Sequence, residues 1–165
     1  MGGTVLACNN VALGGERAYA DLKPTLQRKL ENLQAIHSAR RPYSPQGFQR
    51  GGGLARSMKI KPDEDAWSTQ FHPMVRTHPE TGAKILWINP VYTIGIRGMI
   101  DHTANTLLAE LFTHMTQPEY IYKHQWRVDM LAMWDNRSVM HCAQGGYDGF
   151  RRVMHRTTVA GCQPC

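Results

Sequence analysis

The sequence predicts a mixed α/β fold, mainly β, in which strands carry two or three flanking helices. Three observations lead there. Two stretches carry apolar residues at helical spacing, short strand-like runs surround them, and after Pro118 the chain turns to alternating runs broken by turn residues. At 165 residues it has the length of one domain, residues 1–165. A folded chain of that size buries roughly 70% of its unfolded surface, enough for a real core.

Thr4 to Ala7 reads as a short strand that Asn9-Asn10 ends. Val11 to Ala20 reads as a short helix weakened by Gly14-Gly15. A firmer helix starts near Pro24, which suits a first helical turn, and Leu26, Leu30 and Leu33 give it an apolar face. A basic Gly/Pro-rich loop is expected over 37–66. Between Ala35 and Lys61 stand six basic residues (Arg40, Arg41, Arg50, Arg56, Lys59, Lys61) and no acidic one, before the cluster Asp63-Glu64-Asp65. Such a stretch can meet nucleic acid, but no aromatic residues are interleaved for base stacking, so a solvated loop without a nucleic-acid partner is expected.

His72 to Thr77 and Lys84 to Asn89 read as strands around Pro79-Glu80-Thr81-Gly82, where Gly82 supplies the positive φ of a turn. A second helix is expected over Thr103 to Met115, capped by Thr103 or Asn105, with Leu107, Leu108, Leu111, Phe112 and Met115 as its apolar stripe. Four strands then follow: Ile121 to Arg127, Met130 to Trp134, Ser138 to Ala143 and Arg152 to Val159.

Composition removes several classes of function. With 42% hydrophobic and 19% charged residues the chain is not an intrinsically disordered one. Its mean hydropathy of -0.43 excludes a membrane-embedded bundle. The longest uncharged apolar stretch, Ile85 to Ile96, holds Asn89 and Pro90 and is too short to span a bilayer. No charged and then apolar leader opens the sequence, and the cysteines at 8, 142, 162 and 165 form no dense framework, so a reduced cytoplasmic setting is expected. Cys162 and Cys165 have C-x-x-C spacing but no helix after them to lower a thiol pKa, which argues against redox function.

Chemistry concentrates near the C-terminal end. If Arg152 to Val159 is a strand, Arg152, Met154 and Arg156 share one face, and Val153 and His155 take the other. Two arginines on one face either lie in solvent or reach an anionic ligand, whose carboxylate a guanidinium fork fits. A single strand histidine such as His141 is either a packing residue or a metal ligand.

Trp134-Asp135-Asn136-Arg137 with His141 and Ala143, followed by Arg151-Arg152, Met154-His155-Arg156 and Thr158, resembles the C-terminal signature of the TauD/TfdA (taurine dioxygenase) family. These are Fe(II)- and 2-oxoglutarate-dependent dioxygenases. His72-Pro73, Val75-Arg76-Thr77-His78-Pro79-Glu80-Thr81-Gly82 is similar to the family's hairpin before the central helix. Asn89 and Thr93 sit where its next loop begins, and Gly2-Gly3-Thr4 resembles its Gly-Gly-Asp-Thr without the Asp.

The resemblance implies a partial double-stranded β-helix (jelly roll), with Fe(II) as cofactor and 2-oxoglutarate as cosubstrate. It implies O2-dependent hydroxylation of a small organic acid or sulfonate, with release of succinate and CO2. His141 matches an iron ligand. Arg152 and Thr4 match the pair that holds the far carboxylate of 2-oxoglutarate, and Arg156 matches a position that meets the substrate's anionic group. His155 is expected to be structural, and Arg137 to be an ion-pair partner. The family's other two iron ligands come from an H-x-D or H-x-E motif ahead of Gly-Gly-Asp-Thr. The sequence has no H-x-D, and His78-Pro79-Glu80 falls in the hairpin turn. The chain is therefore expected to be the C-terminal part of such a domain, prone to self-association through unpaired strand edges. The alternative is a catalytically inactive relative that binds a small dicarboxylate or a partner.

Overall fold

In the computed structural model, residues 9–50, 61–143 and 153–161 are described. Their elements in chain order are β1 (Asn9–Gly14), α1 (Gly15–Ala20), α2 (Pro24–Leu30), β2 (Gln34–His37), α3 (Arg40–Tyr43), α4 (Pro45–Arg50), β3 (Gln70–Pro73), β4 (Val75–Thr77), β5 (Lys84–Leu86), β6 (Thr93–Ile96), α5 (Asp101–Met115), β7 (Ile121–Gln125) and β8 (Val139–Ala143). Single 3₁₀ turns occupy Glu64–Trp67 and Pro118–Tyr120.

Every ladder is antiparallel. Strand β1 lies between β7 and β8, β2 lies between β3 and β6, and β4 pairs with β5. The mixed α/β expectation therefore holds, but the described residues form three small antiparallel sheets with five helices rather than two or three, so they are not mainly β; α5 is the long helix. Its stripe is the one the spacing predicts: Leu107, Leu108, Leu111 and Met115 are buried and pack with Leu30, Ile96 and Tyr120. The β4–β5 turn also forms as expected, with Gly82 at φ +71°. No helix among the described residues is long and apolar enough to cross a membrane.

Several elements differ from the sequence reading. Asn9 and Asn10 are not turn residues; they lie in β1, where Asn9 pairs with Gln125 and Asn10 with His124 and Ala143. Partners more than a hundred residues away override the local turn preference of asparagine. The helix expected from Val11 starts only at Gly15. The N-terminus of α1 touches the hairpin there, and a Cβ at Gly15 would stand 2.8 Å from Ile85 Cγ2 and 3.0 Å from the Leu86 carbonyl.

The basic stretch is not a continuous loop. Ala35 to His37 is central sheet, and α3 and α4 follow. Arg41 is anchored by donating from Nη1 to the Thr93 carbonyl at 3.2 Å, and Arg40 lies over the Trp67 ring at 5.8 Å. The run expected as one strand over His72 to Thr77 breaks at buried Met74, which sends β3 and β4 into different sheets. Neither Thr103 nor Asn105 caps α5. Ile100 stands at the N-cap without a side-chain bond, and Asp101 places a carboxylate in the first turn. Met130 to Trp134 and residues 153–159 form no strand, because neither segment finds a ladder partner among the described residues. The strand expected at Thr4 to Ala7 lies outside the described residues.

Candidate functional site

The three sheets converge on a cleft of about 340 Å³. Strand β8 brings His141 to it, β2 and β3 bring His37 and His72, and the loop after β5 brings Asn89 and Tyr92. His141 is placed by its pairing with Ala12 on the central strand β1 and by the turn that leads into β8. Asp135 builds that turn. Its carboxylate accepts from the Arg137 backbone N–H at 2.7 Å, from Arg137 Nε at 3.0 Å and from Nη2 at 2.7 Å, and its carbonyl accepts from the Val139 N–H at 3.1 Å. Arg137 also donates to Glu80 Oε1 at 2.8 Å, which confirms the expected ion-pair role. The Arg137 guanidinium, with help from His78, holds the Asp135 carboxyl well below the usual carboxylate range.

The Trp134 ring sits 5.0 Å from the His141 ring, its indole N–H fixed on Asn136 Oδ1 at 2.9 Å. His141 is exposed, yet the surrounding walls desolvate its ring enough to lower its pKa, and the positive charge of Arg156 lowers it further. A neutral imidazole with an available lone pair is what a metal ligand needs.

Of the residues singled out in the sequence, the structure places His141 on β8 at the cleft, and the charge of Arg156 acts with desolvation to lower its pKa. Arg156 is exposed in the unpaired stretch 153–161, not on a strand face. Thr4 and Arg152 lie outside the described residues. His155 is exposed in the same stretch rather than packed as a structural residue. His78 is buried, and both of its ring nitrogens are engaged, by Asp135 and by the backbone N–H groups of Glu80 and Thr81. The His78-Pro79-Glu80 triplet is thus a turn device and not a ligand pair.

Among the described residues no three His, Cys, Asp or Glu side chains stand close enough to hold a metal ion. Among the described residues the iron that the sequence resemblance implies finds one candidate ligand in His141 and no complete set, since a facial triad needs three protein groups.

The sequence reading missed the other side of the cleft. His37 and His72 meet edge to face with ring centroids 5.1 Å apart, and Thr93 Oγ1 lies 3.2 Å from His37 Nε2. Burial, with His72 beside it, brings His37 down to about 4. The loop is shaped by Asn89, whose Oδ1 accepts from the N–H groups of Val91 at 2.8 Å and Tyr92 at 3.3 Å. Asn89-Pro90 is a turn signal legible in the sequence. His37 has no comparable signal, because it lies inside the basic stretch.

Comparison with known proteins places this chain among relatives. The family model for taurine catabolism dioxygenase TauD, TfdA family, matches residues 13–158. An alpha-ketoglutarate-dependent 2,4-dichlorophenoxyacetate dioxygenase from a Burkholderia species (strain RASC) is 33% identical over 144 residues, which is 87% of this chain and 46% of that protein. An alkylsulfatase from Acinetobacter baylyi is 33% identical over 150 residues, 88% of this chain and 45% of that protein. The crystal structure of AAD-2 in complex with Mn(II) and N-oxalylglycine superposes with a TM-score of 0.77 at 31% identity, covering 96% of this chain and 59% of that one. A taurine dioxygenase from Burkholderia xenovorans superposes with a TM-score of 0.65 at 24% identity over 84% of this chain and 41% of that one, a likeness of fold. The chain thus spans about half the length of the curated relatives it matches.

Proposed function

The chain belongs to the TauD, TfdA family of taurine catabolism dioxygenases, and from that premise we propose that it serves an Fe(II)- and 2-oxoglutarate-dependent dioxygenase reaction on a small organic anion. The reaction hydroxylates the substrate and releases succinate and CO2. The observation that carries this reading is the cleft that His141 lines together with His37, His72 and Asn89, with desolvation and then the charge of Arg156 lowering the His141 pKa. Relatives named for a phenoxyacetate and for alkyl sulfates support an anionic substrate. In this reading residues 1–165 form one cytoplasmic domain of partial jelly-roll architecture. His141 is a metal ligand, Thr4 and Arg152 hold the far carboxylate of 2-oxoglutarate, and Arg156 binds the substrate's anionic group.

What the described residues do in that reaction is positional. The Asp135–Arg137 turn fixes where β8 starts, β1 fixes its register, and the Trp134 ring limits the swing of the His141 imidazole. In this reading desolvation and, after it, the charge of Arg156 keep the proton off His141, and Arg156 draws an anion toward it.

The experiment measures succinate formed from 2-oxoglutarate with Fe(II), in the presence of phenoxyacetate, an alkyl sulfate or taurine. Succinate release that a substrate stimulates, and that His141→Ala abolishes, supports the oxygenase reading; its absence with every substrate overturns it. Arg156→Ala is expected to raise the KM for the anion about 10- to 100-fold, the worth of one charge-assisted contact. An unchanged KM removes Arg156 from the substrate site.

One observation favours a second reading. Because no three ligating groups cluster among the described residues, the chain can be a binding-only relative. That reading predicts calorimetric binding of 2-oxoglutarate with no turnover.

A further inference from the structure

We propose that His37 is a specificity-determining residue of the cleft, its Nδ1–H donating to an oxygen of the bound organic acid opposite His141. This rests on the cleft being a small-anion site, as proposed above. The donor direction follows from a chain of hydrogen bonds. The backbone N–H of Asn89 donates to Thr93 Oγ1 at 2.8 Å. That hydroxyl has one proton, and its near neighbour at 3.2 Å is His37 Nε2. Thr93 is fully buried, so the proton has no water to turn to. The hydroxyl therefore donates to Nε2, which makes Nε2 the acceptor and leaves the ring proton on Nδ1.

The backbone is built for this pairing. Strand β2 meets β6 in regular register at Ala35–Ile96 and Ile36–Gly95, and then the ladder skips Ile94 so that His37 faces Thr93. Such a bulge re-aims a side chain, and bulges of this kind gather next to binding sites. At the other end of the ring, Nδ1 has no hydrogen-bond partner among the described residues, and the ring stands at the cleft wall. His37 lines the same cleft as His141. A preset N–H at a cleft wall takes an acceptor, and the acceptors that a carboxylate, sulfonate or sulfate ester offers are its oxygens.

The test follows the full chain, labelled with ¹⁵N-histidine, by NMR while phenoxyacetate or an alkyl sulfate is titrated. The expected results are a His37 ring protonated on Nδ1 and a saturable shift of that nitrogen on binding. Thr93→Val is expected to lose the tautomer bias and to weaken binding about tenfold, and Thr93→Ser to restore both. His37→Leu is expected to weaken binding by at least as much. A ring protonated on Nε2 overturns the proposal, as does undiminished binding to His37→Leu and Thr93→Val. Absence of binding of either anion to the unmodified chain overturns the small-anion reading itself, and this proposal with it.

Discussion

His78 Nε2 lies 3.1 Å from Asp135 Oδ2, which ties the β4–β5 turn to the turn that launches β8 across 57 positions of sequence. Nδ1 of the same ring accepts from the N–H groups of Glu80 at 3.3 Å and Thr81 at 3.2 Å. Two donors on Nδ1 require the proton on Nε2, so His78 donates to the carboxylate and bridges the two turns as one unit. Replacing buried His78 with alanine takes the acceptor from two backbone N–H groups and removes one donor to Asp135 Oδ2, which keeps its bonds from Arg137. The expected cost is about 1–3 kcal/mol of stability, read from urea unfolding. His78→Asn, which keeps an acceptor near Nδ1, is expected to recover part of it.

The acid side of the stability curve separates two groups. His37 has its pKa lowered from 6.5 to about 4 in the folded chain, so the fold prefers the neutral ring. Its contribution is complete above pH 6.5 and is lost as pH falls from there to about 4, because the unfolded chain takes the proton first. Asp135 is lowered as well, so its contribution is present above its ordinary 3.8 and is lost only below that value. Unfolding free energy measured against pH is expected to show two descending limbs. His37→Gln is expected to reduce the upper limb to the part that His141, whose pKa is also lowered, contributes, and to leave the lower one; an upper limb of unchanged size assigns it to another histidine.

How far the sequence is legible depends on how far apart the partners lie. Helix α5 and the Gly82 turn are local, set by a 3.6-residue stripe and by one backbone angle, and both form as read. Strand β1 depends on β7 and β8, more than a hundred residues away, and the Asn9-Asn10 pair looks like a stop without them. The same holds for the cleft. The signature around Trp134 to His141 is contiguous and can be recognised. His37 acquires its role only from Thr93, 56 positions on, through a ladder irregularity with no trace in composition.

Gly15 tests the packing of α1 on the hairpin. An added Cβ would meet Ile85 Cγ2 at 2.8 Å and the Leu86 carbonyl at 3.0 Å, and one of those neighbours is rigid backbone. Gly15→Ala is expected to destabilise by about 1–3 kcal/mol, as overpacking does, despite alanine's better helix propensity. A gain in thermal midpoint would show that α1 can slide away from β5.

Leu111 is fully buried on α5 among Leu30, Ile96 and Met115. Leu111→Ala removes its packed methyls and leaves a void that a close-packed core fills only in part, at a cost of about 2–5 kcal/mol. Denaturant unfolding is expected to show a lower midpoint at unchanged slope.

The pairing of His141 with Arg156 can be read directly from titration. Two influences lower the pKa of the His141 ring, desolvation first and the Arg156 charge second. Arg156→Ala removes only the second. The His141 midpoint in an NMR pH titration is therefore expected to rise toward 6.5 without reaching it, and added salt is expected to raise it in the parent chain and not in the variant. Both signs matter, because a structural disturbance of β8 would expose the ring and carry the midpoint all the way to its ordinary value. If the midpoint stays where it was, Arg156 does not face His141, and the shared mouth for metal ligand and substrate anion loses its support.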